Sequence, residues 1–132
     1  MKKLIQLATF GSDAGNLTVF EKILPGAIKR SYFIRAIPGC ERGGHRHKKT
    51  WQALICLAGS CRVLVDNGKE QSEYILDSSD KCLILKPEDW HVMDQFTSDS
   101  ILMVLANEYY DAADYIFEPY PTSVPELLGV AV

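Results

Sequence analysis

Short runs rich in β-branched, aromatic and aliphatic residues alternate along the chain with clusters of glycine, asparagine, aspartate and proline. No helical periodicity appears until near the C-terminal end, so the pattern is that of a succession of strands. Strands are predicted at Leu17–Glu21, Ile28–Ile37, Trp51–Leu57, Ser60–Asp66, Glu70–Leu76, Lys81–Leu85, His91–Phe96 and Ile101–Asn107. Eight strands suit an all-β jelly-roll barrel. Ala58-Gly59 supplies one tight connection, and Asp66-Asn67-Gly68 predicts a hairpin, because Asn-Gly tolerates the positive φ angles of a type I′ turn. Gly11–Gly15 and Pro38–Gly44 read as loops. Tyr109–Phe117 reads as a short helical segment of a turn or two, after which Pro119, Pro121 and Pro125 keep the tail irregular.

Composition narrows the class without changing that picture. A chain of 132 residues with 47% hydrophobic content fits a single domain, 1–132, with a real core. Its net charge of -3, with acids and bases nearly balanced, gives no electrostatic footprint for nucleic acid or membrane. The start, Met1-Lys2-Lys3-Leu4-Ile5-Gln6-Leu7, lacks an apolar run long enough for a signal peptide or membrane span, so a cytoplasmic location is expected. Cys40, Cys56, Cys61 and Cys82 show neither a metal knuckle nor a dense disulfide framework; free thiols are expected.

All three histidines of the chain fall in two segments. Between Gly39 and Gly59 stand His45, Arg46, His47 and then Gln52; downstream, Pro87-Glu88-Asp89-Trp90 leads into His91. Histidines two apart on a strand point to one side of it, here into a barrel. The spacing is almost that of a metal-binding cupin, whose third ligand is an acid at the place of Gln52. An amide is a poorer, uncharged donor to a divalent cation, so the site is expected to hold no metal and to do proton chemistry. The Pro87–His91 segment resembles the shorter second cupin motif, with Asp89 in place of its glycine.

Beyond these motifs, Arg42-Gly43-Gly44-His45-Arg46-His47-Lys48-Lys49, Gly59-Ser60-Cys61-Arg62-Val63 and Asp66-Asn67-Gly68 resemble the dTDP-sugar 3,4-ketoisomerases, small cupins of deoxysugar biosynthesis. The likeness extends to Gly15-Asn16-Leu17-Thr18, Ile28-Lys29-Arg30 with Tyr32, Trp90-His91 with Met93 and Phe96, Tyr109-Tyr110-Asp111, and Asp114-Tyr115-Ile116. It implies a cupin fold and conversion of dTDP-4-keto-6-deoxyglucose to a 3-keto-6-deoxyhexose, without cofactor, in the biosynthesis of deoxysugars such as those of lipopolysaccharide. The paired catalytic histidines of the family match His45 and His47, with His47 the expected base and His45 the relay at the sugar oxygens, the exchange of these two roles being the alternative. Histidine suits this work because its pKa lies near neutrality. Arg42 matches the arginine just before the two histidines and is expected to stabilise enediolate oxygen or hold diphosphate, since a guanidinium offers several fixed donors to oxyanions; Tyr32, Gln52, His91 and Arg62 complete the expected substrate-binding set.

Ala14 and Phe117 stand where the family usually carries arginine, and Arg46 where it commonly has alanine. Two other classes fit the same residues: a metal-dependent cupin enzyme, and a cupin that binds a sugar nucleotide without turning it over. A homodimer built through the N-terminal strands is expected, since a small jelly roll has edge strands to protect and Leu4, Ile5 and Leu7 form an apolar start.

Overall fold

A computed structural model of the protein describes residues 2–121; the expectations for Met1 and for Pro125 lie outside them. The strands, in chain order, are β1 (Leu4–Gln6), β2 (Ala8–Ser12), β3 (Gly15–Val19), β4 (Arg30–Ile34), β5 (Arg42–His47) and β6 (Gln52–Ala58). They continue as β7 (Cys61–Asp66), β8 (Gln71–Leu76), β9 (Lys81–Leu85), β10 (Trp90–Asp94), β11 (Ile101–Ala106) and β12 (Tyr115–Ile116). Two antiparallel sheets, ordered β1-β9-β6-β11-β4 and β12-β5-β10-β7-β8, face each other, and β2-β3 forms a separate hairpin. This is the jelly-roll barrel of a cupin.

Alternation along the strands decides which side chains meet between the sheets. Leu54 and Cys56 of β6, Leu83 and Leu85 of β9, and Leu102 and Val104 of β11 meet Val63 and Val65 of β7, Leu76 of β8 and Met93 of β10 in one buried cluster. Neighbours of opposite parity on the first sheet, Ala53, Ile55, Cys82, Ile84 and Leu105, point outward and are covered by Leu7 and Leu24 of the N-terminal segment. That sheet is therefore apolar on both faces, and its strands read as continuous hydrophobic runs. All four cysteines are free, with Cys40 exposed and the other three buried.

All eight expected strands are present, with ends shifted by a few residues, and four more accompany them. All five residues of β2 are exposed, which leaves no alternation to detect, and its end overlaps the loop expected at Gly11–Gly15. β5 begins inside the expected Pro38–Gly44 loop: Arg-Gly-Gly-His-Arg-His carries no apolar residue, since its inward positions belong to the site. Instead of the helical segment at Tyr109–Phe117 there is one 3₁₀ turn, Ala112–Asp114, capped by the Asp111 side chain accepting from the Ala113 N–H, and then β12, which pairs with β5.

The Asn67-Gly68 hairpin forms, but not as a two-residue type I′ turn. Gly68 alone takes a positive φ, 90°, and four residues separate β7 from β8. Asn67 Oδ1 accepts from the N–H groups of Lys69 and Glu70, both at 2.8 Å, and Asp66 Oδ1 accepts from Gly68 N–H at 2.8 Å. These side-chain acceptors close a wider loop than the dipeptide alone would dictate.

Candidate active site

The site sits at one end of the barrel because inward-pointing residues there are polar instead of aliphatic. On β5 the alternation sends His45 and His47 inward, and on β10 His91 lies directly across from His45 in the register. The register slips between His91 and Val92, where β5 accommodates two glycines of positive φ, Gly43 at 90° and Gly44 at 81°. Gly43 has a further reason to lack a side chain: a Cβ there would lie 2.9 Å from the His91 carbonyl oxygen and 3.5 Å from its ring. The bulge thus lets the two histidine strands close up. The ring centroids of His45 and His47 are 5.0 Å apart, those of His45 and His91 4.9 Å, and those of His47 and His91 6.5 Å.

Each ring is set by its hydrogen bonds. His47 Nδ1 lies 2.8 Å from Asp114 Oδ2; a carboxylate only accepts, so Nδ1 carries the proton. Its Nε2 is buried and makes no hydrogen bond. Asp114 is itself fixed, accepting from the N–H groups of Lys48 at 3.1 Å and Lys49 at 2.8 Å and from the Thr50 hydroxyl. Burial pushes the Asp114 carboxyl up, but these bonds and His47 outweigh it and hold the group below the ordinary carboxylate range, hence ionised. His91 Nδ1–H donates to the Asp89 carbonyl at 3.0 Å, which leaves its Nε2 as an acceptor. Asp89 in turn anchors the turn, its side chain accepting from Lys86 N–H at 2.7 Å and pairing with Lys3. The residue that replaces the motif's glycine is therefore a buried structural acid.

Burial keeps all three imidazoles neutral. It lowers His45 to about 4, with the neighbouring His47 adding to the effect, and lowers the fully enclosed His91 to about 3, with His45 adding. Burial also lowers His47, while Asp114 and then Gln52 act in the opposite sense by favouring the protonated ring. His47 is thus the histidine hydrogen-bonded directly to a counter-charge for the proton it would take up.

The other expected residues divide. Gln52 Nε2 donates to the Tyr32 hydroxyl at 3.2 Å, which brings both side chains to the histidine end of the barrel. Burial raises the Tyr32 pKa, so it remains a phenol able to donate its own proton. Arg42 opens β5 as an exposed residue whose charge is felt by Tyr32. Arg62 is a correction: it points to the outer face of β7, opposite to inward Val63 and Val65, and its guanidinium grips Asp94 of β10 through two bonds of 2.8 and 2.6 Å. Its place is a cross-strand ion pair away from the histidines. Arg46 also points outward, its guanidinium 4.3 Å from the Tyr120 ring centre. Among the described residues no group of three His, Cys, Asp or Glu side chains is arranged to hold a metal ion.

Sequence reasoning missed Asp114, Thr50 and Tyr115 as members of the site. Asp114 is 67 residues from His47 in the chain, and only the pairing of β12 with β5 brings it there. Tyr115, opposite His47 in that pairing, lies 4.6 Å from both the His45 and His47 rings. Arg30, inward on β4, rests over the rings of Tyr32 and Tyr110 at 4.4 and 5.2 Å.

Known proteins share this sequence and fold. The family model described as FdtA, WxcM-like, C-terminal, matches residues 1–121. A TDP-4-oxo-6-deoxy-alpha-D-glucose-3,4-oxoisomerase of Aneurinibacillus thermoaerophilus is 45% identical over 117 residues, 86% of this chain and 84% of the relative. Among solved structures, the WlaRB TDP-quinovose 3,4-ketoisomerase of Campylobacter jejuni superposes with a TM-score of 0.83 at 35% identity, covering 88% of this chain and 92% of that one. An asparagine-for-histidine mutant of the QdtA 3,4-ketoisomerase of Thermoanaerobacterium thermosaccharolyticum, in complex with TDP-4-keto-6-deoxyglucose, gives 0.81 at 38% identity, covering 87% and 86%. With the family model matched over residues 1–121 and a relative 45% identical, this chain belongs to the FdtA, WxcM-like C-terminal family of sugar 3,4-ketoisomerases.

Proposed function

We propose that the protein isomerises a TDP-linked 4-keto-6-deoxyglucose, moving the ketone from C4 to C3. The observation that carries this reading is His47: Nδ1–H tied to an ionised Asp114, Nε2 bare and buried, and two further neutral histidines beside it. The C4 ketone acidifies the proton on C3. His47 Nε2 takes that proton, leaving an enediolate across C3 and C4, and Asp114 stabilises the imidazolium that forms. A proton is returned to C4, while the hydroxyl proton of O3 passes to O4 through His45, so that no atom is gained or lost. His91 Nε2, Tyr32 and Gln52 hold sugar oxygens, and Arg42 faces the developing negative charge or the diphosphate.

The working unit proposed is a homodimer. The β2-β3 hairpin carries Phe10 at 63% and Leu17 at 60% exposure, and beside it an apolar groove is lined by Leu7, Phe20, Ile28, Ile55, Met103 and Leu105. A second copy covering this face would bury both. Deoxysugar biosynthesis in the cytoplasm, supplying a cell-surface polysaccharide such as lipopolysaccharide, is the setting proposed.

Incubation of the purified protein with TDP-4-keto-6-deoxyglucose, followed by NMR, tests the activity: a 3-keto product is expected from the parent. His47→Asn, which keeps size and polarity but removes the titrating nitrogen, is expected to be ~10²- to 10⁴-fold slower. A His47→Asn rate within threefold of the parent contradicts the assignment.

A further inference from the structure

The turn of residues 86–89 carries the chain from β9 in the first sheet to β10 in the second, and each of its four carbonyls is engaged. The Lys86 carbonyl accepts from Asp89 N–H at 3.0 Å, that of Pro87 from His47 N–H at 2.8 Å, that of Glu88 from the Tyr120 hydroxyl at 2.7 Å, and that of Asp89 from His91 Nδ1–H at 3.0 Å. His47 and His91 are therefore both held by this one turn, the first by its backbone and the second by its ring. The turn itself is tied down by the Asp89 side chain, which accepts from Lys86 N–H at 2.7 Å and forms an ion pair with Lys3, 86 residues away in the chain. Lys3 is fixed beside β9: its Nζ donates to the Ile84 carbonyl at 3.2 Å, and its own carbonyl accepts from Ile84 N–H at 2.8 Å. The pair lies largely out of water, the Lys3 side chain 21% and the Asp89 side chain 1% exposed.

An ion pair taken out of water loses about as much solvation as it regains in attraction, so it adds little stability that a well-packed apolar pair would not. What it does confer is a single geometry, because a carboxylate this deeply buried must keep its partners. We propose that Lys3 is a positioning residue for the isomerisation: through Asp89 it holds the turn in the arrangement that aims His91 and His47 at the sugar. The inference rests on the activity proposed above. With Asp89 pinned, its carbonyl takes the Nδ1 proton of His91 and leaves Nε2 to accept from a sugar hydroxyl. The charge of Lys3 serves the same end. Burial lowers His91 to about 3, and Lys3 is among the smaller causes acting in that direction, so the cation helps to keep the ring neutral. The glycine that the second cupin motif has at this place offers no side chain for such a tie.

The test compares the parent with Lys3→Met and with Lys3→Met combined with Asp89→Asn. The single variant leaves a buried carboxylate without its cation and should lose stability. The double variant removes both charges and should regain a Tm within a few degrees of the parent, which preserves the test if the single variant folds poorly. In both, kcat/KM on the keto sugar is expected to fall roughly 10- to 100-fold, the loss that a misplacement of about 1 Å brings, while calorimetric affinity for TDP, which has no sugar at the histidines, stays within about threefold. Nitrogen NMR of the imidazole rings reads the positioning apart from turnover. In the parent, His91 should show a protonated Nδ1 and a bare Nε2, and in both variants these two states should be averaged. A double variant with its Tm recovered and kcat/KM within about threefold of the parent, or His91 signals unchanged in both variants, would overturn the proposal. A parent whose fixed His91 ring is lost in the variants, yet which leaves the keto sugar unchanged, refutes the activity proposed above and not the hold of Lys3 on His91.

Discussion

At the level of single residues, catalysis turns on which imidazole nitrogen is bare. Asp114 accepts from Nδ1 of His47 and so fixes Nε2 as the base. Asp114→Asn is expected to lower kcat by more than tenfold with little change in KM, because an amide cannot neutralise the imidazolium. The pH profile separates this from simple misplacement. A base works only when unprotonated, and burial holds His47 below its ordinary 6.5, so kcat/KM should be flat through neutrality and fall at a pH below 6.5. Asp114 is what favours the protonated ring, so Asp114→Asn should move that acid limb to still lower pH while depressing the plateau. A limb that stays in place would show that the carboxylate does not act on His47. The sequence carried His45, His47 and His91 plainly, since their spacing marks one strand and one turn. Asp114 carried no such mark: an acid among tyrosines near the chain's end is informative only once the pairing of β12 with β5 is known.

At the element scale, β5 explains both what was legible and what was not. Most strands that pack against the core announce themselves by apolar residues, as in β9, where four of five are buried. β5 spends its inward positions on histidines and its first turn on glycines, so hydrophobic pattern is silent there. The tail expected as helix became a 3₁₀ turn and a short strand because Asp114 is drawn into hydrogen bonds with Lys48, Lys49, Thr50 and His47, a tertiary demand that local propensity does not record. Gly43 tests the element directly. Gly43→Ala would combine a φ of 90° with a 2.9 Å approach to the His91 carbonyl, whereas Gly44→Ala, at 81°, meets nothing within 4 Å. Strain of this kind costs about 1–3 kcal/mol, or roughly 5–15 °C in Tm for a chain of this size. Gly43→Ala should show the larger loss in calorimetry and a kcat reduced more than tenfold, and equal effects at the two positions would contradict the close approach argued for the bulge.

At the scale of the whole molecule, neutral buried histidines also write themselves into stability. His45 at about 4 and His91 at about 3 lie below the 6.5 of an unfolded chain. Between those values the unfolded state binds protons that the folded state refuses, so stability declines as pH falls from about 6.5 toward 4. Tm should drop over that window, and His91→Asn should flatten the drop; a variant with the parent's slope would show that His91 does not contribute to it. Association belongs to the same scale. Light scattering at micromolar concentration is expected to give twice the 14.8 kDa chain mass, with Leu17→Lys shifting it toward the single chain. The central claim, proton transfer between adjacent sugar carbons by His47, is tested most directly by turning over TDP-4-keto-6-deoxyglucose in deuterated water under NMR. A 3-keto product carrying deuterium at C4 is expected from the parent, and neither product nor label from His47→Asn. Product formed, or label taken up, by His47→Asn at the rate of the parent would contradict it.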